Sequence, residues 1–99
     1  MVFLVFEFDP AKSAANKAKH GIDFVAAQEL WQDADAIGGG ASSLAEARWM
    51  LIAKRDGKLW TAICTRRGEN IRLISVRRAR AEEKAAYEQT KDEDDGEKS

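Results

Sequence analysis

The sequence predicts an α+β fold: an antiparallel sheet of about four strands, two helices in the N-terminal half and one C-terminal helix. Three observations lead to this. The apolar runs ARWMLIAK and LWTAICT flank the turn RDGK, and Asp-Gly between such runs is a strong hairpin signal. A third apolar run, NIRLISV, follows a turn at RRGE containing Gly68. Helix punctuation brackets the segments outside these strands, with Asp9-Pro10 at one start and Gly21 at one end.

Each element has its own reason. Residues 2–8 (VFLVFEF) have the β-branched and aromatic content of a strand. Asp9 can accept hydrogen bonds from free first-turn amides, and Pro10 is pre-set for that turn, so a helix is expected through AKSAANKAK to His20. Ala11, Ala14, Ala15 and Ala18 give it a small-residue face suited to close approach to the sheet. Lys12, Asn16 and His20, at i, i+4 and i+8 with Lys19 beside them, form a polar stripe. Asp23 caps a second helix, FVAAQELWQ, whose Phe24, Ala27 and Trp31 face the core. The glycine-rich stretch AIGGGASS (36–43) reads as a short edge strand or a mobile loop. It lacks the lysine-serine pair and strand-to-helix setting of a nucleotide loop.

In NIRLISV and the arginines after it, strict alternation puts Ile71, Leu73, Ser75 and Arg77 on one face, and Arg72, Ile74, Val76 and Arg78 on the other. The centre is then buried on both sides, and Arg77 and Arg78 point oppositely. ARAEEKAAYEQT closes the chain as a helix, with the helices packed on one face of the sheet.

Ninety-nine residues suit one domain, expected over 1–90. The remainder, 91–99 (KDEDDGEKS), holds five acids, two lysines and no apolar residue, and is expected to be a disordered acidic tail. No apolar run approaches the roughly 18 residues of a membrane span. The opening MVFLVFEFDP lacks the basic n-region of a signal peptide. Cys64 is the single cysteine, so it has no internal disulfide partner and no second cysteine for a zinc site. A cytoplasmic protein without metal or cofactor is the expectation.

The net charge is only −1, yet six arginines fall between Arg66 and Arg80. Salt bridges at strand ends, for example to Glu69, account for some of them. Phosphate recognition accounts better for the density: guanidinium groups are forked, permanently charged donors that match phosphate oxygens. The local field decides this, not the total charge. Phe8, Trp49, Trp60 and Tyr87 are available for base stacking, with core packing the ordinary fate of each. His20 is the only histidine; it is a proton-transfer candidate, or a cation favoured by the helix C-terminus.

These pieces together resemble the BrnT family of bacterial type II toxins. The resemblance rests on Phe6, Glu7 and Asp9; on Lys12, Asn16, Lys19, His20, Gly21, Ile22 and Phe24; and on Arg72, Ile74, Ser75, Arg77, Ala79, Glu83 and Tyr87. It covers residues 6 to about 88. Phe8 departs from it, standing at a usual tryptophan position. Arg80 stands where a small hydroxyl residue is usual; a serine there could form a capping box with Glu83, which arginine cannot.

The resemblance implies a RelE-like ribonuclease fold, cleavage of RNA, arrest of translation and neutralisation by a BrnA-type antitoxin. Promoter DNA would be bound only through that antitoxin. Metal-independent cleavage needs a base for the 2′-hydroxyl, cations for the phosphate and an acid for the leaving 5′-oxygen. On this reading Arg66, Arg77 and Arg78 hold phosphate, while Glu69, Lys19 or His20 moves protons. Lys12, Arg67, Arg72, Arg80 and Tyr87 extend the RNA surface. The other function class left open is a non-catalytic protein that only binds antitoxin or nucleic acid.

Overall fold

The computed structural model describes residues 4–40 and 48–98, with side chains described as far as Thr90. In chain order the elements are β1 (Phe6–Glu7), α1 (Pro10–His20), α2 (Phe24–Ala27), a 3-10 helix (Gln28–Gln32), β2 (Ile37–Gly40), β3 (Arg48–Arg55), β4 (Lys58–Arg67), β5 (Asn70–Arg78) and α3 (Ala81–Lys98). The architecture is α+β, around one five-stranded sheet of order β1-β5-β4-β3-β2.

β3, β4 and β5 form the expected meander. The β3–β4 turn is a two-residue loop flanked by the Arg55–Lys58 pair. Its Asp56 (φ 54°) and Gly57 (φ 75°) are both left-handed, the twist that matches flanking strands. β2 pairs antiparallel with β3, so the glycine-rich stretch supplies an edge strand over Ile37–Gly40; residues 41–47 lie outside the described residues. The sheet is mixed rather than antiparallel throughout, because β1 runs parallel to β5, with Phe6 beside Ile71 and Glu7 beside Arg72. The strand expected over 2–8 is confined to Phe6–Glu7, and its first residues lie outside the described residues.

Beyond Arg72 the outer edge of β5 has no strand partner among the described residues, and α1 takes its place. Asp9 Oδ1 accepts from Ala11 N–H (2.8 Å), Pro10 opens the helix, and Gly21 (φ 86°) ends it by donating to Lys17 O (2.9 Å). Its inward face is not the alanines, which are exposed, but buried Ser13 and Asn16. Asn16 Nδ2 donates to Val76 O (2.9 Å) and Ile22 O (2.7 Å), and Asn16 Oδ1 accepts from Val76 N–H (3.1 Å). One carboxamide thus does for Val76 what a neighbouring strand would do. It leaves no buried backbone group of that residue unpaired. Ser13 Oγ accepts from Phe24 N–H (2.9 Å), joining α1 to α2.

A bulge at the Ile63/Cys64 step decides which β5 side chains share a face. Ile63 pairs with Ser75 and Cys64 with Leu73, so Ile74 is the extra residue and the alternation changes phase across it. Ile71, Leu73 and Val76 all join the main core with Ala53, Trp60, Ala62, Cys64 and, from α2 and the following turn, Phe24, Ala27 and Leu30. Arg72, Ser75 and Arg77 take the second face through their partners Thr65, Ile63 and Thr61. Strict alternation had assigned Ser75 and Arg77 to the face of Ile71. A bulge has no local sequence mark here.

α3 packs on this second face, opposite α1 and α2, where a one-sided arrangement was expected. Tyr87, Ala79, Leu59 and Ile52 form its own small core with Ile37. The second helix is also shorter than expected: after Ala27 the chain tightens into 3-10 geometry. The backbone of α3 continues to Lys98 through the acidic segment expected to be disordered; side chains from residue 91 onward lie outside the described residues.

Candidate ribonuclease site

α3 covers the end of the second face that holds Ile52, Leu59 and Thr61. At the opposite end, Lys12, Arg48, Thr65, Arg66, Arg67, Arg72 and Ile74 line a pocket of about 440 Å³. The backbone geometry explains the convergence. Arg48 pairs with Thr65 in the β3–β4 ladder and Thr65 with Arg72 in the β4–β5 ladder, so three adjacent strands present a row across one face. Arg66 and Arg67 follow at the end of β4, and Lys12 reaches in from α1 along the β5 edge. Half-buried Met50, Ile63 and Ser75 occupy the same face between this pocket and α3.

A carboxylate stands beside the pocket. Glu7 of β1 holds Oε2 2.7 Å from Asn70 Nδ2, which donates to it, and Oε1 3.8 Å from Arg72 Nη1. Both Glu7 and Arg72 keep about a third of their side-chain surface exposed (32% and 34%), so neither is sealed away from a ligand.

The sequence-predicted residues divide into groups. Arg66, Arg67, Arg72 and Lys12 come together in the pocket. Arg77 does not join them. It lies on the same face but under α3, where Nη1 and Nη2 donate to both oxygens of Glu83 (2.7 and 2.9 Å). That carboxylate also accepts from Thr61 Oγ1 (2.9 Å) and from Arg80 N–H (2.7 Å). The Arg77 hydrogen bonds hold the Glu83 carboxyl far below the ordinary carboxylate range, at about 2, against the opposing effect of burial. Glu83 in turn raises the Arg77 pKa. Arg80 immediately precedes α3 and its carbonyl accepts from Lys84 N–H, so Glu83 supplies its half of a capping box although Arg80 has no hydroxyl for the other half.

Arg78 is on the opposite face. Its guanidinium lies 5.5 Å from the Trp60 ring centroid and its Nε donates to Leu59 O (3.3 Å). Lys19 and His20 sit at the C-terminus of α1, and Glu69 is exposed in the β4–β5 turn; none of the three lines the pocket.

Tyr87, expected on the RNA surface, is 1% exposed. Its hydroxyl donates to Asp33 Oδ2 (2.8 Å), an oxygen that also accepts from Lys54 N–H. Burial and the Asp33 carboxylate raise the Tyr87 pKa. Burial works against the Asp33 anion, yet the hydrogen bonds from Lys54, Asp35 and Tyr87 prevail and its pKa is lowered.

The other aromatic candidates are also structural. Phe8 meets Phe24 edge-on (5.8 Å), and Trp31 bridges Phe6 (4.9 Å) and Trp49 (6.2 Å), all against the main core. Cys64 is fully buried, which pushes its thiol up to about 12. Among the described residues no three His, Cys, Asp or Glu side chains gather as metal ligands, and no helix is long and apolar enough to cross a membrane.

Arg48 and Glu7 were absent from the sequence-derived site. Arg48 could have been found by counting: once Asp56-Gly57 fixes the hairpin, position 48 falls opposite Thr65, next to the Arg66-Arg67 pair. Glu7 carries no such signal, because its neighbour on β5 comes from a parallel pairing across the length of the domain.

Comparison with curated proteins returns no match. A family model described as the ribonuclease toxin, BrnT, of type II toxin-antitoxin systems matches residues 8–83, which include Ser13, Asn16 and Glu83 and all the pocket cations. Such a toxin acts on RNA and has a cognate antitoxin. The chain belongs to the BrnT family of ribonuclease toxins of type II toxin-antitoxin systems.

Proposed function

We propose that the chain cleaves RNA in the pocket on the α3 side of the sheet, at the end away from α3, by metal-independent transesterification. The observation that carries this reading is the convergence of Lys12, Arg48, Arg66, Arg67 and Arg72, from four separate elements, on one concave patch of a protein with a net charge of −1. A phosphodiester under attack by its own 2′-oxygen gathers negative charge on the non-bridging oxygens. Preorganised guanidinium groups stabilise that charge more than they stabilise the resting diester, which lowers the barrier. Forked donors on three adjacent strands can hold one phosphate from more than one side. Ile74, Met50 and Ile63 offer apolar surface for sugar or base beside it.

Arg66, Arg67, Arg72 and Lys12 keep the roles of phosphate and RNA contact, and Arg48 joins them. Arg77 serves instead to seat α3, and Arg78 and Tyr87 belong to packing. Cleavage of cytoplasmic RNA would arrest translation. A BrnA-type antitoxin covering the pocket mouth would neutralise it, with promoter DNA bound only through that antitoxin. Residues 1–90 form the working unit on this reading.

The test is incubation of purified, antitoxin-free protein with an end-labelled RNA in EDTA. Cuts ending in 2′,3′-cyclic phosphate are expected. Salt-sensitive binding without cuts would leave a binding protein in place of the enzyme.

A further inference from the structure

We infer that Glu7 is the proton acceptor of the cleavage step, a role that rests on the ribonuclease reading above. The proton-transfer residues expected from sequence, Lys19, His20 and Glu69, do not line the pocket; Glu7 stands just outside its lining too, but in contact with Arg72, which does line it. Among the described residues Glu7 is the carboxylate that contacts a pocket arginine without being consumed by a full hydrogen-bond set. Glu83, by contrast, accepts four hydrogen bonds, three of them at Oε1, and is buried at 7% exposure, so it is closed off from a ligand.

The geometry of Glu7 suits a base. Pairing of β1 with β5 fixes its backbone beside Arg72. Asn70 Nδ2 holds Oε2 at 2.7 Å, which orients the carboxylate plane and leaves Oε1 toward Arg72, with 3.8 Å between them. That gap is too long for a hydrogen bond, so Oε1 of the one-third-exposed carboxylate is not tied up by Arg72 on the side where Arg72 would hold a phosphate. A ribose 2′-hydroxyl lies one ester linkage from its own phosphate. A base paired directly beside a phosphate-holding arginine on the next strand is therefore within reach of it. The charged groups around Glu7 are Arg72 of β5, in contact with it, and Lys12 of α1 with Arg66 and Arg67 of β4, which line the adjoining pocket.

In the step itself the 2′-O–H bond breaks and its proton passes to Glu7 Oε1. The freed electron pair forms the O2′–P bond. The P–O5′ bond breaks, and the departing O5′ takes a proton from water. The products are a 2′,3′-cyclic phosphate and a 5′-hydroxyl, with no change of oxidation state.

The experiment compares wild type, Glu7→Gln and Glu7→Asp. Single-turnover cleavage of a short RNA is followed from pH 4 to 9, together with affinity for the same RNA carrying one 2′-deoxy residue at the cut site. Glutamine keeps an acceptor for Asn70 and nearly the same shape, so the fold is retained. Expected for Glu7→Gln is a fall in rate of roughly a hundredfold or more, affinity within about threefold of wild type, and loss of the acidic limb of the pH–rate profile. Expected for Glu7→Asp is partial activity with that limb restored. A Glu7→Gln enzyme as fast as wild type overturns the inference while the ribonuclease reading stands. So does one whose loss is in affinity with the acidic limb unchanged, which would make Glu7 a positioning residue for Arg72. An inactive wild-type protein overturns both.

Discussion

Glu83 shows how a residue with the look of site chemistry can be spent on architecture. It accepts from Arg77 twice, from Thr61 and from the Arg80 amide, tying β4, β5 and the start of α3 at one point. Glu83→Ala would leave the half-buried Arg77 guanidinium and Thr61 without their acceptor. The expected cost is about 3 kcal/mol, measured by urea unfolding at neutral pH. The pH dependence has a definite sign. The folded-state carboxyl, at about 2, lies below its unfolded value, so the network stabilises the fold above the ordinary carboxylate range. That stabilisation is lost as pH falls through about 4 toward 2. The stability gap between wild type and Glu83→Gln should therefore be widest at neutral pH and close in acid; a gap constant over that range would contradict the assignment.

At the scale of elements, α1 behaves as a substitute strand. Its capping residues and its ends are readable from Asp9, Pro10 and Gly21, but its buried face is not, since helical periodicity favours alanine over asparagine for burial. The reason lies sixty residues away, in the unpaired backbone of Val76. Asn16→Ala removes three buried hydrogen bonds and should cost about 3 kcal/mol, again by urea unfolding, while Ala15→Ser on the exposed side should be nearly neutral. The glycines divide in the same way. Gly21 sits at φ 86°, so Gly21→Ala should destabilise by about 1 kcal/mol through backbone strain. Gly39 has ordinary backbone geometry and open space at its Cβ, so Gly39→Ala should be tolerated, with thermal midpoints reporting both. β5 teaches the complementary lesson: its residues announce a strand, but the phase change at Ile74 that sorts its arginines between faces arises only in pairing with β4.

At the scale of the whole molecule, the arginine-rich segment serves three purposes. Arg66, Arg67 and Arg72 enter the pocket, Arg77 seats α3, and Arg78 lies over Trp60 on the far face. Composition could show that positive charge is concentrated there; it could not divide the charge, because the division depends on sheet register and on which face α3 covers. The fold class and the meander were legible because turn chemistry at Asp56-Gly57 and Gly68 is local. The parallel placement of β1, and with it the position of Glu7, was not, because it joins residues far apart in sequence. RNA affinity should fall with salt, and Arg48→Ala should reduce the slope of log affinity against log salt by about 0.7, the share of one phosphate contact on a single strand.

The central claim is that cleavage occurs on the α3 side of the sheet, in the pocket that Arg72 lines. Its most direct test is the single-turnover cleavage rate of Arg72→Ala beside that of Arg78→Ala, both checked for native unfolding midpoints. The expected result is a loss of about a hundredfold or more for Arg72→Ala and near wild-type cleavage for Arg78→Ala. Cleavage that survives the loss of Arg72 but not of Arg78 would place the chemistry on the opposite face and contradict the assignment.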